Sequence, residues 1–119
     1  MSVKVPGVFK GATDRRAVPA GTVIFEAGSH GQEMFGVMDG AVELRLLDGR
    51  TVALGPEDVF GEMAIVDSSA RSASAVATQD TTLAVIDKRR FLFLVGETPT
   101  LALQVMASLA ARLRARGEA

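Results

Sequence analysis

Six glycines, Gly21, Gly28, Gly31, Gly40, Gly49 and Gly55, cut the first half of this 119-residue chain into apolar runs too short for helices. Between them lie Thr22-Val23-Ile24-Phe25, Met34-Phe35-Gly36-Val37-Met38, Val42-Glu43-Leu44-Arg45-Leu46 and Thr51-Val52-Ala53-Leu54. In the third run Val42, Leu44 and Leu46 alternate with Glu43 and Arg45, the period-two signature of a half-buried strand. Asp39-Gly40 and Asp48-Gly49 are residue pairs that turn one antiparallel strand into the next. The strand pattern resumes over Ser72–Ala77 and Thr82–Ile86. A chain divided in this way is restricted to short antiparallel strands and to a small barrel or sandwich built from them.

The period changes in the last third. Asp87 caps a short helix predicted to run through Val95, with Gly96 suited to its end. Thr98-Pro99 reads as an N-cap followed by proline at the first helical position. From there to about Arg116, the residues Leu101, Val105, Met106, Leu109 and Leu113 form an apolar stripe on a helix of roughly 25 Å. The stripe is expected to pack on the strands, with part of it able to serve a homodimer. Arg112, Arg114 and Arg116 are expected on a solvated face near the helix C-terminus, where cations suit the dipole. Residues 1–16 read as an irregular lead-in holding at most one helical turn. A single domain then covers 17–119, with strands over about 17–87 and helices over about 88–116.

Composition narrows the chemistry. The chain has no Cys, which excludes disulfides, thiolate catalysis and Cys-ligated metals. Its one His, His30, excludes sites built from several imidazoles and reads as an exposed loop residue with no metal role. Thirteen Lys+Arg stand against fourteen Asp+Glu, a net charge of −1, so the surface as a whole does not suit a polyanion. The longest apolar runs, such as Phe91–Val95, fall far short of the ~20 residues that span a bilayer. The N-terminus lacks the apolar stretch of a secretory signal. A cytoplasmic protein without membrane insertion is the expectation. No Ser–His–acid or Cys–His arrangement is readable, and no catalytic residue, metal or cofactor is assigned.

One segment, residues 60–76, does not fit a plain hairpin. It runs Phe60-Gly61-Glu62-Met63-Ala64-Ile65-Val66-Asp67-Ser68-Ser69-Ala70-Arg71-Ser72-Ala73-Ser74-Ala75-Val76. A glycine opens a short helix-forming stretch, Asp67, Ser68 and Ser69 make a polar turn, and a lone Arg71 enters an apolar strand. The small neighbours Ala70, Ser72, Ala73 and Ser74 leave space around the guanidinium and no acid adjoins it in sequence. Backbone amides at a helix start favour anions, and an arginine fork matches a phosphate. The segment outlines a phosphate cradle.

This segment resembles the phosphate-binding cassette of the cyclic-nucleotide-binding domain family, whose pattern is Phe-Gly-Glu-(Leu/Met)-Ala-(Leu/Ile), a variable turn, then Arg-(Ser/Ala/Thr)-Ala. Val18-Pro19-Ala20-Gly21-Thr22-Val23-Ile24-Phe25 and Met34-Phe35-Gly36-Val37-Met38-Asp39-Gly40 are similar to that family's early strands, and the likeness covers roughly 17–116. It implies an antiparallel β-roll or jelly-roll barrel carrying a short cassette helix and two C-terminal helices. It also implies a ligand, cAMP favoured over cGMP, bound without catalysis by a sensor module that shifts its C-terminal helices. Within the cassette, Phe60, Gly61, Glu62, Met63, Ala64, Arg71, Ser72 and Ala73 are the implied ligand-binding residues. Arg71 would take the cyclic phosphate and Glu62 the ribose 2′-hydroxyl. The Gly61 backbone would approach the ribose, and the amides of Ala64 and Ser72 would add phosphate donors. Val52, Leu54 and Met63 would line the base pocket, and Arg112 to Arg116 would be the candidates to cover the base. The family's helix-turn-helix, kinase and channel effector regions have no counterpart in these residues. If these residues are the whole protein, the expectation is a stand-alone module that acts on an effector protein in trans, without direct DNA binding; if they are one domain of a longer chain, the effector lies in the remainder. The alternative is a β-roll interaction module that binds no nucleotide.

Overall fold

The computed structural model describes residues 7, 9–66 and 68–115. The elements are β1 (Arg15–Val18), β2 (Val23–Phe25), β3 (Glu33–Asp39), β4 (Val42–Leu46), β5 (Thr51–Leu54), β6 (Val59–Phe60), α1 (Met63–Val66), β7 (Ala73–Ala77), β8 (Thr81–Asp87), α2 (Lys88–Glu97) and α3 (Thr100–Ala115). The strands form two four-stranded sheets, ordered β1-β8-β3-β6 and β2-β7-β4-β5. Every pairing is antiparallel. The expected β-roll with a cassette helix and two following helices is the fold, built as two facing sheets.

The β3–β8 pair is the spine. Successive side chains on a strand point to opposite faces, and here both faces are covered. Phe35 and Val37 of β3, opposite Val85 and Leu83 of β8, point into the core between the sheets with Leu44, Leu54, Phe60 and Ala75. Met34 and Ile86 point the other way, into a second core closed by Ile65 of α1, Leu94 of α2, and Leu101 and Val105 of α3. A strand buried on both faces needs apolar residues at successive positions, which Met34-Phe35-Gly36-Val37 supplies. Each such side chain taken fully out of water contributes about 1.5–3 kcal/mol.

The lead-in is more ordered than its composition suggests. Arg15–Val18 is an edge strand paired to Ala84–Thr81 of β8. Arg15, Arg16 and Ala17 are all exposed and only Val18 is half-buried, so no alternation marks it in the sequence. Upstream, Phe9 is buried in the second core, its ring lying over Gly36 of β3.

Asp87 caps α2 as expected, its Oδ1 accepting from the Arg90 amide at 2.7 Å. The helix continues past Gly96 to Glu97 and closes at Thr98, whose N–H donates to the Leu94 carbonyl at 2.7 Å. Gly96 therefore sits in the last turn rather than ending it. Replacing Asp87 by alanine should cost about 1 kcal/mol, read as a fall of several degrees in Tm by thermal unfolding. On α3, Leu101, Val105 and Leu109 pack inward, whereas Met106 is 55% exposed beside Leu103 at 63%. Met106 departs from the expected stripe because each residue turns the helix by about 100°, which carries it off the face that Val105 occupies. The side chains of Arg112, Leu113 and Arg114, and all of Arg116, lie outside the described residues, as does Asp67. Among the described residues no helix is long and apolar enough to cross a membrane. His30 is exposed, as expected.

Candidate functional site

The cassette departs from sheet geometry at Gly61. Its φ of +79° is left-handed, a conformation glycine adopts at no steric cost. A Cβ there would also lie 2.9 Å from Nη1 of Arg71. The turn at Gly61 swings the chain from β6 into α1, where the Ile65 and Val66 amides both donate to the Glu62 carbonyl at 3.0 Å. The chain then returns through a turn in which Ser68 takes φ +59°, and enters β7.

Arg71 is locked from both sides of its own peptide. Its N–H donates to the Ser29 carbonyl at 2.8 Å, and its carbonyl accepts from the Gly28 amide at 2.7 Å. The Ala27 amide donates to Ser74 Oγ at 2.9 Å, fastening the same loop to β7. The side chain is only 7% exposed. Nη1 donates to the Gly61 carbonyl at 3.1 Å, and the guanidinium carbon lies 4.2 Å from the centre of the Phe25 ring. Nη2 fits against Gly31, where a Cβ would come within 2.5 Å of it. The Nε atom is buried and has no hydrogen-bond partner among the described residues. Burial pushes the guanidinium below its ordinary pKa, an effect the Glu33 carboxylate partly offsets, yet arginine keeps its proton in proteins. A buried cation with a donor still free has the chemistry to hold an anion.

Arg71 opens on a cavity of about 30 Å³, room for a water or two. Gly61, Met63, Ser72 and Ala73 of the cassette line it with Arg71. Phe25 of β2 and Leu44 and Leu46 of β4 form the rest of its wall. The other implied residues are not on the wall of this cavity. Phe60 is 1% exposed in the core between the sheets, stacked on Phe35 at 5.4 Å. Glu62 is 2% exposed and Ala64 is buried within α1, its amide engaged by the Gly61 carbonyl at 3.3 Å. Val52 and Leu54 sit on the edge strand β5, away from this wall.

Phe25, Gly31, Leu44 and Leu46 reach the site without having been singled out in the sequence. For the two leucines the register carries the reason. Strand β4 lies between β5 and β7, and Leu46 faces Ala73 across the β4–β7 pair, two residues beyond Arg71. Val52 faces Leu44 on the far side of β4, one strand further from the cassette. A larger groove of about 590 Å³ runs between α1 and the start of α2, lined by Glu33, Ala64, Ile65, Lys88 and Arg89 among others; Arg71 and Gly61 take no part in it.

The sequence profile of the cyclic nucleotide-binding domain matches residues 15–98. A cyclic AMP receptor protein of Thermus thermophilus is 44% identical over 105 residues, covering 84% of this chain and 49% of that protein. The chain thus spans about half the length of this relative. The crystal structure of the Thermus thermophilus catabolite activator protein superposes with a TM-score of 0.75 at 36% identity, over 92% of this chain and 59% of that one. A structure solved in work on a cyclic-GMP-dependent signalling pathway that regulates bacterial phytopathogenesis superposes with a TM-score of 0.80 at 28% identity, over 96% and 98% of the two chains.

Proposed function

The chain belongs to the cyclic nucleotide-binding domain family, and on that premise we propose that it binds a cyclic nucleotide, cAMP in preference to cGMP, and acts by binding rather than by catalysis. The observation that carries this reading is the buried Arg71, 7% exposed, which lines the cavity and whose Nε has no hydrogen-bond partner among the described residues. The cyclic phosphate would complete that donor set, and the ribose 2′-hydroxyl would bond to Glu62. The backbone at Gly61, bare of a Cβ, would admit the sugar. Leu44, Leu46 and Met63 would meet the base. Preference for cAMP is supported by the likeness to a relative named for cyclic AMP.

A cavity of about 30 Å³ is far below the ~300–1,000 Å³ typical of small-molecule sites. Binding would therefore widen the cleft by moving the cassette. Helix α1 shares the second core with α2 and α3 through Ile65, Leu94, Leu101 and Val105, so the same movement would be felt by the C-terminal helices. Its output, in this reading, is a population shift passed to an effector protein.

The test is calorimetric titration of cAMP and cGMP into nucleotide-free protein, with 5′-AMP as control. Micromolar or tighter binding of cAMP, weaker binding of cGMP and silence with 5′-AMP are the expected results. No heat from folded, empty protein with any of the three would leave an interaction module.

A further inference from the structure

Resting on the nucleotide reading, we propose that Phe25 is a positioning residue for the ligand's phosphate, an aromatic shelf that holds the Arg71 guanidinium in place without neutralising it. Residues two apart on a strand share a face, yet Val23 is 50% exposed while Phe25 packs inward beside Ile24. A register shift in the β2–β7 pairing between Val23 and Phe25 accounts for this, the kind of irregularity that re-aims a side chain. Because of it both Ile24 and Phe25 point into the roll.

Three features then converge on Arg71. Its guanidinium carbon is 4.2 Å from the centre of the Phe25 ring, close enough for a cation over an aromatic face. Phe25 is itself braced by Phe35 and Phe60, with ring centres 6.1 and 5.9 Å away. The group's hydrogen bond, Nη1 to the Gly61 carbonyl, is likewise to a neutral partner. A carboxylate in place of the ring would orient the arginine equally well, but it would also satisfy the charge and compete with a phosphate. An aromatic face attracts the cation through its quadrupole and carries no net charge. Neither direct partner, the ring nor the Gly61 carbonyl, uses up the positive charge, which the Glu33 carboxylate influences only through space, and its geometry is set before the anion arrives.

The experiment compares Phe25→Leu with Phe25→Tyr, each alone and combined with Arg71→Lys, reading cAMP affinity by calorimetry and folding by thermal unfolding. Phe25→Leu should weaken binding about tenfold, and Phe25→Tyr, which keeps the aromatic face, should remain within about threefold of the parent. In the Arg71→Lys background, Phe25→Leu should change affinity by less than about twofold, since the fork it supports is gone. An unchanged affinity in Phe25→Leu overturns the proposal. So does a loss of equal size with and without Arg71, which would make the ring a core residue only. A second arm needs no nucleotide. The Arg71 Nε–H resonance, assigned by its disappearance in Arg71→Lys, should be displaced upfield by the ring and return toward its ordinary position in Phe25→Leu. An unmoved resonance overturns the shelf directly, whereas an upfield resonance in protein that binds no nucleotide keeps the contact and removes only its phosphate role.

Discussion

Replacing Arg71 by alanine is expected to lower the affinity for the cyclic nucleotide by about a hundredfold or more, with the fold intact. Hydrogen bonds to a charged group are worth about 1.5–3 kcal/mol each, and a phosphate meeting the fork would make more than one. The same substitution should do little harm to stability. In the folded protein the guanidinium is buried, its Nε lacks a partner among the described residues, and burial lowers its pKa. Each of these is a cost of folding that the alanine variant no longer carries. Against them stand the bond to the Gly61 carbonyl and the contact with Phe25, so Tm should stay within a few degrees of the parent. Arg71→Lys retains the charge but not the planar fork, and is expected to fall between the two in affinity. Calorimetry paired with thermal unfolding checks both halves. An Arg71→Ala protein that binds as tightly as the parent removes this arginine from the site.

The second large effect lies outside the cavity, where Phe9 meets Gly36. A Cβ at Gly36 would fall 2.2 Å from the Phe9 ring, inside any permitted contact. Gly36→Ala should therefore cost about 1–3 kcal/mol by overpacking. Phe9 is 6% exposed among Met34, Ile65, Leu94 and Leu101, so Phe9→Ala should cost about 3–5 kcal/mol through the cavity it leaves. The two changes share one volume and must not add. In the double variant the new methyl enters space the ring has vacated, and its own penalty should nearly vanish. Denaturant unfolding of the two single variants and the double variant measures this coupling. Strictly additive costs would mean that ring and glycine do not touch.

Much of this molecule is legible along the chain because its cause is local. The bounds of β4 and β5 follow from alternation and from the Asp-Gly pairs beside them. The Asp87 cap and the start of α3 near Pro99 follow from short-range bonding rules. The cassette is legible from its residue types: a glycine with positive φ, a short helix and a lone arginine among small neighbours. Strand β1 is not, because an exposed edge strand needs only hydrogen bonds to β8 and leaves no apolar rhythm.

The sequence by itself determined the short antiparallel strands and the trailing helices, because periodicity and turn chemistry act within a few residues, and a contiguous motif marked the segment that holds Arg71 by its resemblance to a family cassette. Only the tertiary structure decided what surrounds that arginine. The shift at β2 turned Phe25 beneath it, Gly31 left room for Nη2, and the order β5-β4-β7 put Leu44 and Leu46 on the cavity wall. These neighbours are set by strand order and register between segments distant in sequence, and no local pattern records which strand becomes the neighbour of which.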